Sequence, residues 1–154
     1  MCGIVGYSGN RNTVDMLMQG LKKLEYRGYD SAGIAIFDRD KIDVIKAKGP
    51  LAELAKRLEG RNLPDCPCGI GHTRWATHGE PSDENAHPHL SMSGNIAVVH
   101  NGIIENYVEL REQLASRGFV FLSQTDTEVI AHLFDFFYDG DILEAARQVA
   151  HRLE

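Results

Sequence analysis

The sequence predicts an α+β protein whose strands pair at least partly in the antiparallel sense. Segments in which apolar residues recur at helical spacing alternate with short apolar runs that are typical of buried strands. Two such runs flank the turn-forming residues of "AGIAIFDRDKIDVIKAKG", a pattern typical of a β-hairpin. Helices mixed with hairpin strands favour layered α+β packing over a purely parallel β-α-β arrangement.

The first half of the chain is expected to contain strands and helices in alternation. The apolar run 4–7 lies between glycines and predicts a short buried strand. A helix is predicted over "NTVDMLMQGLKKLEYRG", with Thr13 as its cap and Gly28 as its end. After the hairpin, "PLAELAKRLEG" predicts a helix with Pro50 at its start and Gly60 at its end. The stretch "CGIGHTRWATHG" begins as another strand.

The second half is expected to contain two further strands and three helices. "EPSDENAHPHLSMSGN" has the composition of a loop, and "IAVVHNG" predicts a buried strand that ends at its Asn-Gly pair. "NYVELREQLASRG" predicts an amphipathic helix that buries Tyr107, Leu110 and Leu114, and "FVFLSQTD" predicts a short strand. Two further helices are predicted over "TEVIAHLFDFFYDG" and "DILEAARQVAHRLE". Because the sequence stops at Glu154 inside the last of these, a truncated domain is expected.

Composition excludes several classes of protein. The chain has 154 residues, 43% of them hydrophobic and 25% charged, which is ordinary for one globular domain. Its formal net charge of -6 argues against binding to nucleic acid or to an anionic membrane surface. No apolar run approaches the roughly 20 residues of a membrane helix, and no secretory signal is recognisable. The odd number of cysteines, without framework spacing, predicts free thiols in the cytosol.

The histidines and cysteines invite a test for metal binding. His87 and His89 flank a proline, and so do Cys66 and Cys68. Structural zinc sites use Cys-x-x-Cys pairs or helical His-x-x-x-His pairs, which the sequence lacks. Neither a metal nor another cofactor is therefore expected.

Cys2, directly after the initiator methionine, is a candidate nucleophile. The thiolate needs a neighbouring base, and removal of Met1 would give Cys2 its own α-amine, with a pKa of about 7.7–8.0. The alternative is that Cys2 is a small apolar residue of the first strand.

Three further stretches could serve a small polar substrate. In "GHTRWATHG", Arg74 could bind a carboxylate in bidentate fashion; the alternative is a strand end with a core tryptophan and a surface ion pair. Asn101 and Gly102 could supply two donors to an oxyanion, although an isolated Asn-Gly pair is usually a turn. Asp126 could pair with a substrate ammonium, or could simply cap the helix that follows.

Taken together, these segments resemble a known family. "CGIVGY", "LEYRGYDSAGIA", "GIGHTRWATHGEPSDENAHPH", "VVHNGIIENYVELREQL" and "SQTDTEVIAHL" are similar, in order, to the glutaminase domains of the glutamine–fructose-6-phosphate aminotransferases, which are class II glutamine amidotransferases. The resemblance implies the αββα sandwich of N-terminal-nucleophile hydrolases, here without its C-terminal strands. Residues 1–154 are then a partial glutaminase domain, and the sugar-isomerase domains are absent.

The resemblance also implies roles for individual residues. Cys2 would attack the side-chain amide of L-glutamine, and Asn101 and Gly102 would form the oxyanion hole. Arg74 would hold the substrate carboxylate and Asp126 its ammonium. The remaining implied residues are Trp75, Thr77 and His78 in the pocket, Arg27 as support for the nucleophile, and His87 near the loop that faces the partner domain.

The implied role of the chain is to supply ammonia for conversion of fructose 6-phosphate to glucosamine 6-phosphate in a cytoplasmic, homo-oligomeric full-length enzyme. Two alternatives stay open at this point. The chain could be a catalytically idle fragment or assembly module, or it could belong to another class II amidotransferase with a different ammonia acceptor. The segment "YRGYDSAGIA" argues against the latter.

Overall fold

A four-stranded antiparallel sheet forms the centre of the fold. The computed structural model describes residues 1–64 and 66–154. The strands are β1 (Gly3–Ser8), β2 (Ser31–Asp38), β3 (Lys41–Lys48) and β4 (Cys68–Arg74), in the spatial order β1-β4-β2-β3. Every neighbouring pair is antiparallel, and β2 and β3 form the predicted hairpin. The α+β prediction is confirmed.

Two helices cover one face of this sheet. In α1 (Thr13–Leu24), Leu17 and Leu21 pack with the apolar residues of β2 and β3 in a continuous core. The prediction that Thr13 caps α1 is wrong, because the Asn12 side chain accepts the hydrogen bond from the backbone of Asp15 at 3.0 Å. A short 3-10 turn (Glu25–Arg27) follows α1, and α2 (Leu51–Leu58) begins directly after Pro50, as predicted.

The second half of the chain forms a separate helical layer. Its helices are α3 (Tyr107–Ser116), α4 (Glu128–Phe137) and α5 (Ile142–Ala150), which share a second apolar core. A small antiparallel sheet, β5 (His89–Leu90) with β6 (Ala97–Val98), packs against α4. The expected strand over "IAVVHNG" is thus limited to two half-buried residues, and the expected loop before it contains β5.

The strand predicted over "FVFLSQTD" is not formed. The backbone N–H groups of Leu122 and Ser123 each donate to the Glu128 carboxylate at 2.8 Å, and the Val120 carbonyl lies 3.1 Å from His132 Nε2. These polar groups are satisfied by α4 instead of by a neighbouring strand. The expectation that the chain stops inside a helix is also wrong, because α5 ends at Ala150.

The layers lie in the order helix, sheet, sheet, helix. The face of the main sheet opposite α1 meets the loop that leads into β5. A Cβ atom added to Gly33 on that face would lie 2.3 Å from the carbonyl oxygen of His87, so the backbones are in direct contact. Antiparallel sheets between helix layers are therefore confirmed, with the second sheet reduced to two short strands. No described helix is both long enough and apolar enough to cross a membrane.

Candidate active site

One cavity of about 370 Å³ brings most of the predicted site residues together. It lies where the N-terminus meets the ends of β4, β6 and the start of α4. Nine of the ten predicted residues line it: Cys2, Arg27, Arg74, Trp75, Thr77, His87, Asn101, Gly102 and Asp126. Met1 also lines the cavity, together with three residues for which the sequence predicts no role, namely His100, Ile103 and Thr127.

Cys2 is held at the cavity by the pairing of the first strand. Gly3 is paired with Thr73 near the end of β4, which places Cys2 next to Trp75. The backbone N–H of Trp75 donates to Cys2 Sγ at 3.2 Å. The Met1 α-amine donates to the carbonyls of Arg27 and Gly28, each at 2.9 Å. The thiol is therefore positioned, while its own nitrogen is part of the Met1–Cys2 peptide bond.

Arg74 is a buried cation with one unused nitrogen. It is the last residue of β4, and only 4% of its surface is exposed. Its Nη2 donates to the carbonyls of His78 and Gly79, but its buried Nη1 has no partner among residues 1–64 and 66–154. Burial lowers the pKa of Arg74, although the nearby Asp30 and Asp126 carboxylates oppose the shift. Arginine nonetheless stays protonated in proteins, so Nη1 is suited to an anionic ligand group.

Asp126 supplies an anion to the same cavity. It is 4% exposed, and its Oδ2 accepts the backbone N–H of Ile104 at 2.8 Å. The N-cap of α4 is Thr127, so the Asp126 carboxylate ties the loop before α3 to the start of α4 instead of capping the helix. The cavity therefore carries a buried positive charge and a buried negative charge, which matches the zwitterion of a free amino acid.

Asn101 and Gly102 lie in the loop between β6 and α3. Asn101 Oδ1 is 2.7 Å from Nε2 of His72, a fully buried residue of β4. A Cβ atom added to Gly102 would lie 2.7 Å from His100 Nε2, so the loop backbone packs directly on that ring. The absence of a side chain at Gly102 thus allows this close approach.

His78 and His87 differ in their relation to the cavity. His78 is not among the residues that line the cavity; its carbonyl accepts from Arg74, and its ring contacts the edge of Tyr107 at 5.2 Å. His87 does line the cavity, but it is only 4% exposed and stacks on His72 with ring centroids 4.4 Å apart. Both side chains contact residues of this chain.

The sequence did contain signals for the residues that were missed. His100 directly precedes Asn101, and Thr127 directly follows Asp126. His72 is two residues before Arg74 in a strand, so both side chains lie on the same face of the sheet. In the described part of the chain, no cluster of three or more histidine, cysteine or acidic residues is arranged to hold a metal ion.

Comparison with known proteins identifies the family. Residues 59–143 match a family described as the glutamine amidotransferase domain. The chain is 58% identical, over all of its 154 residues, to glutamine–fructose-6-phosphate aminotransferase (isomerizing) of Caldanaerobacter subterraneus. It is 59% identical over 154 aligned residues, which cover 99% of the chain, to the protein of the same name from Symbiobacterium thermophilum. In both cases the chain spans 25% of the relative's length.

Two solved structures also superpose on the whole of this chain. Glutamine phosphoribosylpyrophosphate amidotransferase from B. subtilis, complexed with ADP and GMP, superposes with a TM-score of 0.81 at 28% identity. A structure described as the allosteric regulatory enzyme of purine biosynthesis superposes with a TM-score of 0.83 at 30% identity. Each match covers the whole of this chain and 33% of the other. The sequence match, the fold and the cavity agree, and the chain belongs to the glutamine amidotransferase domain family.

Proposed function

We propose that Cys2 hydrolyses the side-chain amide of L-glutamine. The observation that carries this proposal is that one cavity holds a thiol, the buried Arg74 cation and the buried Asp126 anion. Glutamine presents the three complementary groups, an electrophilic amide, an α-carboxylate and an α-ammonium. Arg74 Nη1, which lacks an acceptor among the described residues, would bind the carboxylate.

The reaction then proceeds through a covalent intermediate. The Cys2 thiolate adds to the amide carbon and forms a tetrahedral oxyanion, which the Asn101 side chain and the Gly102 N–H stabilise. The C–N bond breaks as the leaving nitrogen takes a proton, which releases ammonia and leaves a γ-glutamyl thioester. Water then adds to the thioester, the C–S bond breaks, and glutamate leaves. One oxyanion donor typically contributes about 10²–10³ to kcat.

Activity requires removal of Met1. An amide nitrogen cannot accept a proton, whereas the free α-amine of Cys2 would titrate at about 7.7–8.0 and serve as the base. Met1 also lines the cavity, so its removal enlarges the space for substrate. The Arg27 carbonyl accepts a hydrogen bond from the Met1 amine, so removal of Met1 also frees this carbonyl at the N-terminal end of the site.

The ammonia would be used elsewhere in a longer protein. The curated relatives are four times as long and are named for transfer of nitrogen from glutamine to fructose 6-phosphate. We therefore place residues 1–154 as a partial glutaminase domain of a cytosolic, homo-oligomeric enzyme whose sugar-isomerase domains bind the acceptor. Identities of 54–59% to these aminotransferases, against 28–30% to purine-pathway structures, favour this acceptor.

The test is glutamate release by the chain after removal of Met1. Cys2→Ala should abolish release, whereas Cys68→Ala should not, because Cys68 is a half-buried thiol that does not line the cavity. Equal rates for the Met1-free chain and Cys2→Ala would refute the proposal and would favour a catalytically idle fragment. Activity that survives with Met1 still attached would refute the role of the α-amine.

A further inference from the structure

His72 contacts the oxyanion loop through the Asn101 side chain and through the His100 backbone. It lies on β4, opposite Ile4 of β1 and Gly33 of β2, and none of its surface is exposed. Its Nε2 is 2.7 Å from Asn101 Oδ1. Its Nδ1 is buried and has no hydrogen-bond partner in the described part of the chain.

The surroundings of His72 determine which ring nitrogen carries the proton. Burial lowers its pKa to about 4 although hydrogen bonds with Asn101 and with the His100 backbone oppose the shift, so the ring is neutral at pH 7 and has one N–H. An N–H at Nδ1 would be a buried donor without an acceptor, which costs about 1–3 kcal/mol. The proton is therefore on Nε2, where it is donated to the Asn101 oxygen.

The contact that holds the Asn101 side-chain oxygen also fixes the orientation of the NH₂ group of the same amide. The Asn101 side chain has one acceptor and one NH₂ group, on opposite branches of a planar unit. Once His72 holds the oxygen, the NH₂ group must point away from His72. Asn101 lines the cavity, and no acceptor in the described residues takes its Nδ2 hydrogens.

The His72 ring is itself held in place by His87. The two rings are stacked with centroids 4.4 Å apart and an interplanar angle of 24°. Burial, together with the neighbouring His89 and His72, holds the pKa of His87 well below its usual value, so this ring is neutral as well. Stacking of two neutral rings restricts rotation of His72 without charge repulsion.

We propose that His72 is a positioning residue that fixes the Asn101 side-chain amide with its NH₂ group directed at the developing oxyanion. The inference rests on the proposed function, because it assumes that Asn101 acts on a tetrahedral intermediate. His72 acts through Asn101 and does not touch the substrate.

Two substitutions separate this role from a packing role. His72→Phe keeps a stacked ring but removes the donor, while His72→Gln can place an amide N–H near the original Nε2. In glutamate release by the Met1-free chain, His72→Phe should lower kcat about 10–100-fold and change KM less than about threefold. The reason is that one correctly oriented oxyanion donor contributes a factor of up to about 10²–10³ to kcat. His72→Gln should restore kcat to within about fivefold of the unsubstituted chain. His89→Phe is the matched control, because His89 is a buried ring of the same cluster that bonds to Thr125 instead of Asn101.

A double-mutant cycle with Asn101→Ala gives the decisive comparison. If His72 acts through Asn101, His72→Phe should cause no further loss of kcat once Asn101 is alanine. The same fold-loss with and without Asn101 would overturn the proposal and assign His72 to packing alone. His72→Gln as damaging as His72→Phe would also overturn it.

A measurement that does not use activity keeps the inference separate from the proposed function. ¹⁵N NMR of the whole chain should show a neutral His72 with its proton on Nε2, identified by its loss in His72→Gln. Asn101→Ala should speed exchange of that proton with water. A proton on Nδ1 would overturn the positioning role even in an active protein. Absence of Cys2-dependent hydrolysis, in contrast, would remove the proposed function whatever the tautomer is.

Discussion

Replacing Arg74 with lysine tests how the substrate carboxylate is bound. In the structure, Nη2 donates to the carbonyls of His78 and Gly79, while Nη1 remains without an acceptor in the described residues. A guanidinium can therefore hold the loop and the substrate with different nitrogens. Lysine has one nitrogen for both tasks and cannot reproduce the fork.

The expected size of the effect follows from the hydrogen bond that is lost. A hydrogen bond to a charged group contributes about 1.5–3 kcal/mol, which corresponds to roughly a 10–150-fold change in a binding constant. Arg74→Lys should therefore raise KM for glutamine about 10–150-fold. Because the carboxylate is remote from the reacting amide, kcat should fall less than tenfold.

The assay is glutamate release against glutamine concentration, with the Met1-free chain and with Arg74→Lys. Arg57→Lys serves as the matched control, because Arg57 donates to the Lys46 carbonyl and pairs with Asp83 outside the cavity. Its KM should stay unchanged. If KM for Arg74→Lys stays within about twofold of the unsubstituted chain while the protein remains folded by circular dichroism, Arg74 does not hold the carboxylate and the assignment fails.

Two further predictions concern stability, measured by urea unfolding. Gly33→Ala should lower the free energy of unfolding by about 3 kcal/mol, because its Cβ would lie 2.3 Å from the His87 carbonyl oxygen; Gly6→Ala, with nothing within 4 Å of its Cβ, should be nearly neutral. Burial alone raises the pKa of Glu128, but the neighbouring His132 at 3.6 Å and hydrogen bonds from Leu122 and Ser123 outweigh it and lower the pKa. This carboxylate therefore stabilises the fold fully above its unfolded pKa of about 4.3, and the contribution is lost as the pH falls from that value through its folded pKa of about 2. Glu128→Gln should lower the free energy of unfolding by about 2–4 kcal/mol at pH 7 and by less at pH 3, whereas the exposed Glu144→Gln should change it by less than about 1 kcal/mol. An equal loss for Glu128→Gln at both pH values, or a neutral Gly33→Ala, would contradict these assignments.

Periodicity predicted the elements whose contacts are local in sequence. The helices α1, α2 and α4 and the β2–β3 hairpin follow from apolar spacing and from turn residues within each segment. The strand over 119–126 could not be excluded in this way. Its apolar run over 119–122 is real, but whether it pairs depends on a carboxylate in the next helix, Glu128, which takes two of its backbone N–H groups.

In the candidate site, too, features that are local in sequence could be predicted, whereas those that depend on distant contacts could not. Cys2, Arg74 and Asp126 carry recognisable chemistry and come from segments that resemble a family, so they could be named from the sequence. His72 is in the same stretch as Arg74, but its contribution could not be predicted, because it depends on a 2.7 Å contact with Asn101, which is far away in the chain. A buried histidine in a strand looks the same in the sequence whether it only packs or also orients a neighbour.

The two hydrogen bonds on the Met1 amine bear on the order in which the protein matures. In the folded chain, the Met1 α-amine is hydrogen-bonded to the Arg27 and Gly28 carbonyls, although an aminopeptidase must bind this amine in order to remove Met1. The strand β4, which holds β1 in place, follows α1, β2, β3 and α2 in the chain and is therefore synthesised after all of them. During that interval the first residues have no partner strand. Methionine excision is therefore expected to compete with folding, and slow excision would leave a stable, correctly folded population that never acquires its catalytic base.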